Sequence, residues 1–105
     1  MSIYIDRWSM TSDITPETAE RAVGGPSEVW RLSWLPGRLL SFDQARAGME
    51  LDEIVSDPAL VHDRMALARG AMCADALGII WEQAVLLLYK RMAARLAGPA
   101  VAAAG

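Results

Sequence analysis

The sequence has one cysteine, one histidine and one phenylalanine in 105 residues. A single cysteine excludes an internal disulfide, and one cysteine with one histidine leaves too few ligands for a zinc site within one chain. Basic charge is also in short supply: 10 basic residues stand against 13 acidic ones, a formal net charge of −3. Such a chain is not held to phosphate by bulk charge, so any basic footprint must be local. The first seven residues have no basic segment followed by an apolar run, and no secretory signal is expected. The most apolar stretch, residues 76–89, is interrupted by Glu82 and Gln83 and is too short to cross a bilayer. No glycine-rich phosphate loop is present: Gly24-Gly25 runs into Pro26, and Gly37 precedes Arg38 without the later glycine and lysine. The lone Cys73 suits a reducing compartment. The expectation is a cytoplasmic protein with no membrane span, no cofactor and no metal.

Apolar residues are abundant, at 53% against 22% charged. That argues for one small packed domain rather than disorder. The chain divides into an N-terminal arm over 1–27 with room for a short strand, a single small α+β domain over 28–97, and a small-residue tail over 98–105. Within the arm, Ile3-Tyr4-Ile5-Asp6-Arg7-Trp8 reads as a strand, and Thr15-Pro16-Glu17 reads as a helix start that Gly24-Gly25-Pro26 stops. Residues 28–35 alternate: Trp30, Leu32 and Trp34 share one face, with Val29, Arg31 and Ser33 on the other. Pro36-Gly37 then predicts a type II turn. Ser41-Phe42-Asp43-Gln44 is a capping box, with Leu40 and Ala45 placed for a hydrophobic staple, and it predicts a helix over 42–55.

Asp57-Pro58 ends that helix and predicts a second one, with Leu60, Val61, Met65, Leu67 and Ala68 as its apolar positions. Gly70 is either its end or an ordinary glycine inside a longer helix. Residues 71–96 contain no proline and predict one long helix, ended by Gly98-Pro99. The expected fold is therefore α+β but mostly α: short N-terminal strands, a strand-turn-helix unit, then two helices with a long C-terminal one. The N-terminal strand is expected beside residues 30–34.

The last helix carries more apolar circumference than a surface helix needs. Ala74, Leu77, Trp81, Ala84, Val85, Leu88 and Met92 share one face, while Met72, Ile79 and Leu86 sit among the polar positions opposite. Ala74, Leu77, Trp81, Ala84 and Leu88 follow the spacing of a two-helix seam. The competing reading is a central helix wrapped by its own chain. Self-association is expected through Leu77, Trp81, Ala84, Leu88 and Met92, with Ile79 and Leu86 on the back.

Other candidates favour bland readings. Glu50, Asp52, Glu53 and Asp57 put four carboxylates in eight residues, yet no calcium-loop spacing accompanies them, and a solvated face is expected. His62 has no nucleophile at a telling spacing, and Cys73 sits among small apolar neighbours as a buried thiol. Lys90, Arg91 and Arg95 suit the C-terminal dipole of the last helix. Trp30 and Trp34 read as core. Arg31, Pro36, Gly37 and Arg38 read as an exposed partner-docking turn.

The segment Trp30-x-x-Ser33-Trp34-Leu35-Pro36-Gly37-Arg38-x-Leu40, followed by Gln44-Ala45 and Met49, resembles a motif of small uncharacterised proteins from high-GC Gram-positive bacteria and their phages. The resemblance covers about a quarter of the chain, and Gly48 stands where those proteins usually have alanine. It implies a bacterial cytoplasmic setting and a strand-turn-helix unit, and no mechanism. The expected function is a non-enzymatic, self-associating interaction module, a homo-oligomer that could also dock on a larger protein. A dimeric nucleic-acid-associated regulator is the alternative, and an enzyme with a site shared between subunits comes third.

Overall fold

The computed structural model describes residues 2–22 and 29–104, with side chains described through residue 97. Five strands precede three helices: β1 (Ile3–Ile5), β2 (Ser9–Ser12), β3 (Ala19–Arg21), β4 (Trp30–Leu32), β5 (Leu35–Leu40), α1 (Phe42–Ser56), α2 (Arg64–Leu77) and α3 (Trp81–Ala104). The strands form one antiparallel meander in the order β1-β2-β3-β4-β5. The expectation of a mostly helical α+β fold is therefore corrected: the N-terminal half of the chain forms a five-stranded sheet. β1 pairs with β2 rather than beside residues 30–34, and β3 lies next to β4.

The supposed helix start at Thr15 is a loop between β2 and β3, because a sheet edge is available there. The Thr18 carbonyl accepts from the Ser33 amide at 2.8 Å, and the Thr18 amide donates to Ser33 Oγ at 2.8 Å. The expected stop at Gly24-Gly25-Pro26 lies outside the described residues. The turn between β4 and β5 falls at Ser33-Trp34, not at Pro36-Gly37. The β4–β5 register shifts between the pairs Trp30↔Leu40 and Leu32↔Leu35. Pro36 and Gly37 lie in the displaced part of an edge strand, where a missing N–H is tolerated. Among the described residues only Gly78 has positive φ, so Gly37 does not make a type II turn.

Alternation works as the pattern requires. Met10, Ala19, Trp30, Leu32, Trp34 and Leu40 are buried against α1, while Glu20 and Arg31 face each other across the outer side. Trp30 meets Phe42 edge-on, with ring centroids 5.8 Å apart. The capping box is formed: Ser41 Oγ accepts from the Gln44 amide at 3.2 Å, and Gln44 Oε1 accepts from the Ser41 amide at 3.0 Å.

Three corrections concern the helices. Asp57 caps only a short 3-10 turn (Pro58–Leu60), because Asp63 offers a second cap. Its Oδ1 accepts from the Met65 and Ala66 amides at 3.0 and 3.1 Å and restarts the chain as α2. Next, the long helix over 71–96 is two helices, α2 and α3, bent by 96°. Gly78 makes the break at φ 75°, with Ile79 N–H bonding Ala74 O and Gly78 N–H bonding Asp75 O, the two bonds of a Schellman motif. Gly70 is no joint. It lies buried inside α2 because the Trp81 ring packs over it, leaving 2.5 Å where a Cβ would stand. Lastly, α3 continues through Gly98 and Pro99 to Ala104. A proline removes one backbone bond, and the alanines around it propagate the helix.

No single helix among the described residues is long and apolar enough to cross a membrane; the α2–α3 pair meets that composition test only as a broken unit.

Candidate functional site

What holds α3 against the body is polar at its centre. Glu17, in the β2–β3 loop, is 2% exposed. Its Oε2 accepts from Arg91 Nε at 2.8 Å and Arg95 Nη1 at 2.5 Å, and its Oε1 accepts from Ser33 Oγ at 2.6 Å. Arg91 and Arg95 are four apart, so one helix face presents both guanidinium groups to one carboxylate. They do more than suit the helix dipole: they clamp α3 to the sheet. Burial alone would raise the Glu17 carboxyl, but the Arg91, Ser33 and Arg95 hydrogen bonds together outweigh it and hold it below the ordinary range.

Asp52, on α1, has no exposed surface. Ser56 Oγ donates to its Oδ1 at 3.2 Å, and Oδ2 has no hydrogen-bond partner. Burial pushes this carboxyl up to about 6; the Thr15 and Ser56 hydroxyls oppose the rise and the Glu17 charge adds to it. Glu53 is also buried and accepts from Ser12 Oγ at 2.5 Å. The expected solvated acidic face is thus corrected. Its members separate, since Asp52 is buried beside Thr15 of the β2–β3 loop, Glu53 is buried against Ser12 of β2, Glu50 pairs with Arg69 at 3.4 Å, and Asp57 caps the 3-10 turn. Among the described residues no group of three or more His, Cys, Asp or Glu side chains could hold a metal ion. Cys73 is buried and its thiol is pushed up to about 11, first by burial and then by the Glu50 charge.

Within the expected docking turn, Arg38 is exposed and also serves the fold. Its Nη1 donates to Leu77 O at 3.0 Å, while Gln44 Nε2 donates to Ala76 O at 3.1 Å. Both side chains satisfy free carbonyls at the C-terminus of α2, where a cation also suits the dipole. Arg31, Pro36, Gly37 and Arg38 are all exposed, and Arg31 and Pro36 line a shallow dent of 170 Å³ with Glu20.

The self-association residues divide. Leu77, Ile79, Ala84 and Leu88 are buried by their own chain, and the 96° bend explains why: it folds α3 back so that this face closes on α1 and α2. These four have no surface left for a second chain. Trp81 and Met92 are half-buried, and Leu86 is 61% exposed. Around α3, at about 100° per residue, Met92, Val85, Leu96, Tyr89, Ala93 and Leu86 form an apolar stripe beside the buried face, with the exposed Glu82 at its N-terminal end between the angular positions of Tyr89 and Ala93. Leu96 is 90% exposed and Tyr89 51%. The stripe borders a groove of 620 Å³ whose walls include Val55, Val61, Leu67, Trp81, Val85 and Tyr89, with Ser56 and Asp57 at its polar edge. Sequence reasoning missed Tyr89 and Leu96 because it centred the face on the α2–α3 junction; the spacing within residues 85–96 was the available signal.

No family model matches this chain, and no curated protein or solved structure matches it either.

Proposed function

We propose that this chain is a non-enzymatic, self-associating interaction module whose contact surface is the open stripe of α3 together with the adjoining groove. One observation carries the reading: Leu86, Tyr89 and Leu96, all at least half exposed, continue into a groove with apolar walls. Isolated apolar side chains on a surface are ordinary, whereas a contiguous patch beside a concave site marks a contact. The Glu17 clamp supports the same reading, because it fixes the helix that presents the stripe and so lowers the ordering cost of association. A cytoplasmic setting fits the buried, protonated Cys73 thiol, which resists oxidation. The test is solution mass by light scattering over a concentration series. The expected result is a species of twice 11.4 kDa that dissociates on dilution. A constant 11.4 kDa at high micromolar concentration overturns the proposal.

A further inference from the structure

We infer that Asp52 is a proton-operated latch: protonated, it lets the β2–β3 loop close over α1 and hold α3; ionised, it drives that loop open and takes Glu17 away from Arg91 and Arg95. The latch operates within a single chain, independently of self-association.

Asp52 has no exposed surface, and its Oδ2 has no hydrogen-bond partner among the described residues. A charge there has neither water nor a donor, and a proton on the group removes that cost. The neighbouring charges do not supply the missing partner. Asp52 and Glu53 come from α1 and Glu17 from the β2–β3 loop, all three buried. From α3 come Arg91 and Arg95, and both bond Glu17. β2 and the β4–β5 turn bring the hydroxyls of Ser12 and Ser33, which go to Glu53 and Glu17. Three carboxylates therefore stand against two cations, and one proton on Asp52 balances them. Burial disfavours the Asp52 charge most, and the Glu17 charge opposes it more than Arg95 favours it.

The loop over Asp52 is built to lift. Residues 14–17 make no backbone–backbone hydrogen bond among the described residues. The Ile14 amide bonds the Ser12 hydroxyl, the Glu17 amide bonds the Thr15 hydroxyl, and Pro16 has no amide hydrogen. The segment is held instead by the burial of Thr15, whose hydroxyl lies against Asp52, and by the ion pairs of Glu17. Segments with few backbone bonds open at low cost, and lifting this one brings water to the carboxylate. The same movement withdraws Glu17 from Arg91 and Arg95 and so releases the second half of α3. The closed form holds the Asp52 proton more tightly than the open one, so opening grows as pH rises through the Asp52 midpoint.

Amide hydrogen exchange of the whole chain at about pH 5 and about pH 8, corrected for the intrinsic pH dependence of exchange, tests the latch. The expected result is roughly tenfold greater opening of residues 14–17 and 91–97 at the higher pH, the change given by a carboxyl at about 6 when closed and 3.8 when open. Low urea is expected to leave that exchange unaltered, because the opening is local. Exchange that keeps step with the α1 amides, that is equal at the two pH values, or that slows at the higher one overturns the latch. Asp52→Asn keeps the shape and removes the titration, so its exchange at the same amides is expected to stay level. A tenfold rise that survives in the variant overturns the assignment to Asp52. Carbon-13 titration of the wild-type carboxyl needs no variant: a midpoint well above the ordinary carboxylate range supports the latch, and one within that range overturns it.

Discussion

The two faces of α3 are made of the same residue types and have opposite fates. One face, with Ala84 and Leu88, is closed by the chain itself and secured by Arg91 and Arg95 on a buried carboxylate. The other, with Leu86, Tyr89 and Leu96, is equally greasy and stands open. Hydrophobicity alone does not distinguish them. Position relative to the Gly78 bend and to Glu17 decides which face the fold consumes and which it leaves for a partner.

The largest difference is expected from paired truncations. Leu88→Ala opens a cavity in the core and costs about 3 kcal/mol of unfolding free energy. Leu96→Ala in dilute monomer costs less than about 0.5 kcal/mol. Urea denaturation measures both, and equal losses would erase the distinction between the faces.

Next comes the clamp. Glu17→Gln leaves two guanidinium groups facing a neutral amide. Because Arg91 and Arg95 keep part of their hydration, with side chains 43% and 37% exposed, the expected cost is about 2 kcal/mol at pH 7, less than for a fully buried pair. The Glu17 contribution is present at neutral pH and is lost as pH falls through its lowered value, below the ordinary 4.5. In the Gln variant this acid-side loss should shrink.

Asp52 runs the other way. Its carboxyl is raised from 3.8 to about 6, so the native state binds the proton more tightly than the unfolded chain. Stability is fully present below about pH 4 and falls as pH rises through 6, by about 3 kcal/mol at most. Asp52→Asn should recover about 1–2 kcal/mol of that at pH 7 and little at pH 4. A variant less stable than wild type at both pH values would show that the carboxylate is a needed acceptor.

The smallest effect belongs to Arg38→Ala, which removes one bond to the α2 terminus and is expected to cost about 1 kcal/mol without changing solution mass. A change in oligomer state would return Arg38 to the contact surface.

Much of the local structure was legible. The Ser41–Gln44 capping box places α1, and the Trp30-Leu32-Trp34 alternation places one sheet face, because both signals lie within a few residues. The meander was not legible. Its β2 and β3, Ser-Met-Thr-Ser and Ala-Glu-Arg, are short and polar, and only their neighbours in the sheet make them strands. The buried acids were missed for a related reason. Glu17 meets Arg91 and Arg95 across 74 and 78 positions of sequence, and no local pattern announces such a pairing. Asp57-Pro58 misled because a good cap starts a turn, while the next cap, Asp63, decides where the helix runs.

Sedimentation equilibrium on the wild type and Leu96→Glu, side by side at the same tens-of-micromolar concentration, bears most directly on the open face of α3. The account predicts twice 11.4 kDa for the wild type and 11.4 kDa for the variant. A wild type that stays at 11.4 kDa, or a variant that still sediments at twice that mass, would contradict it.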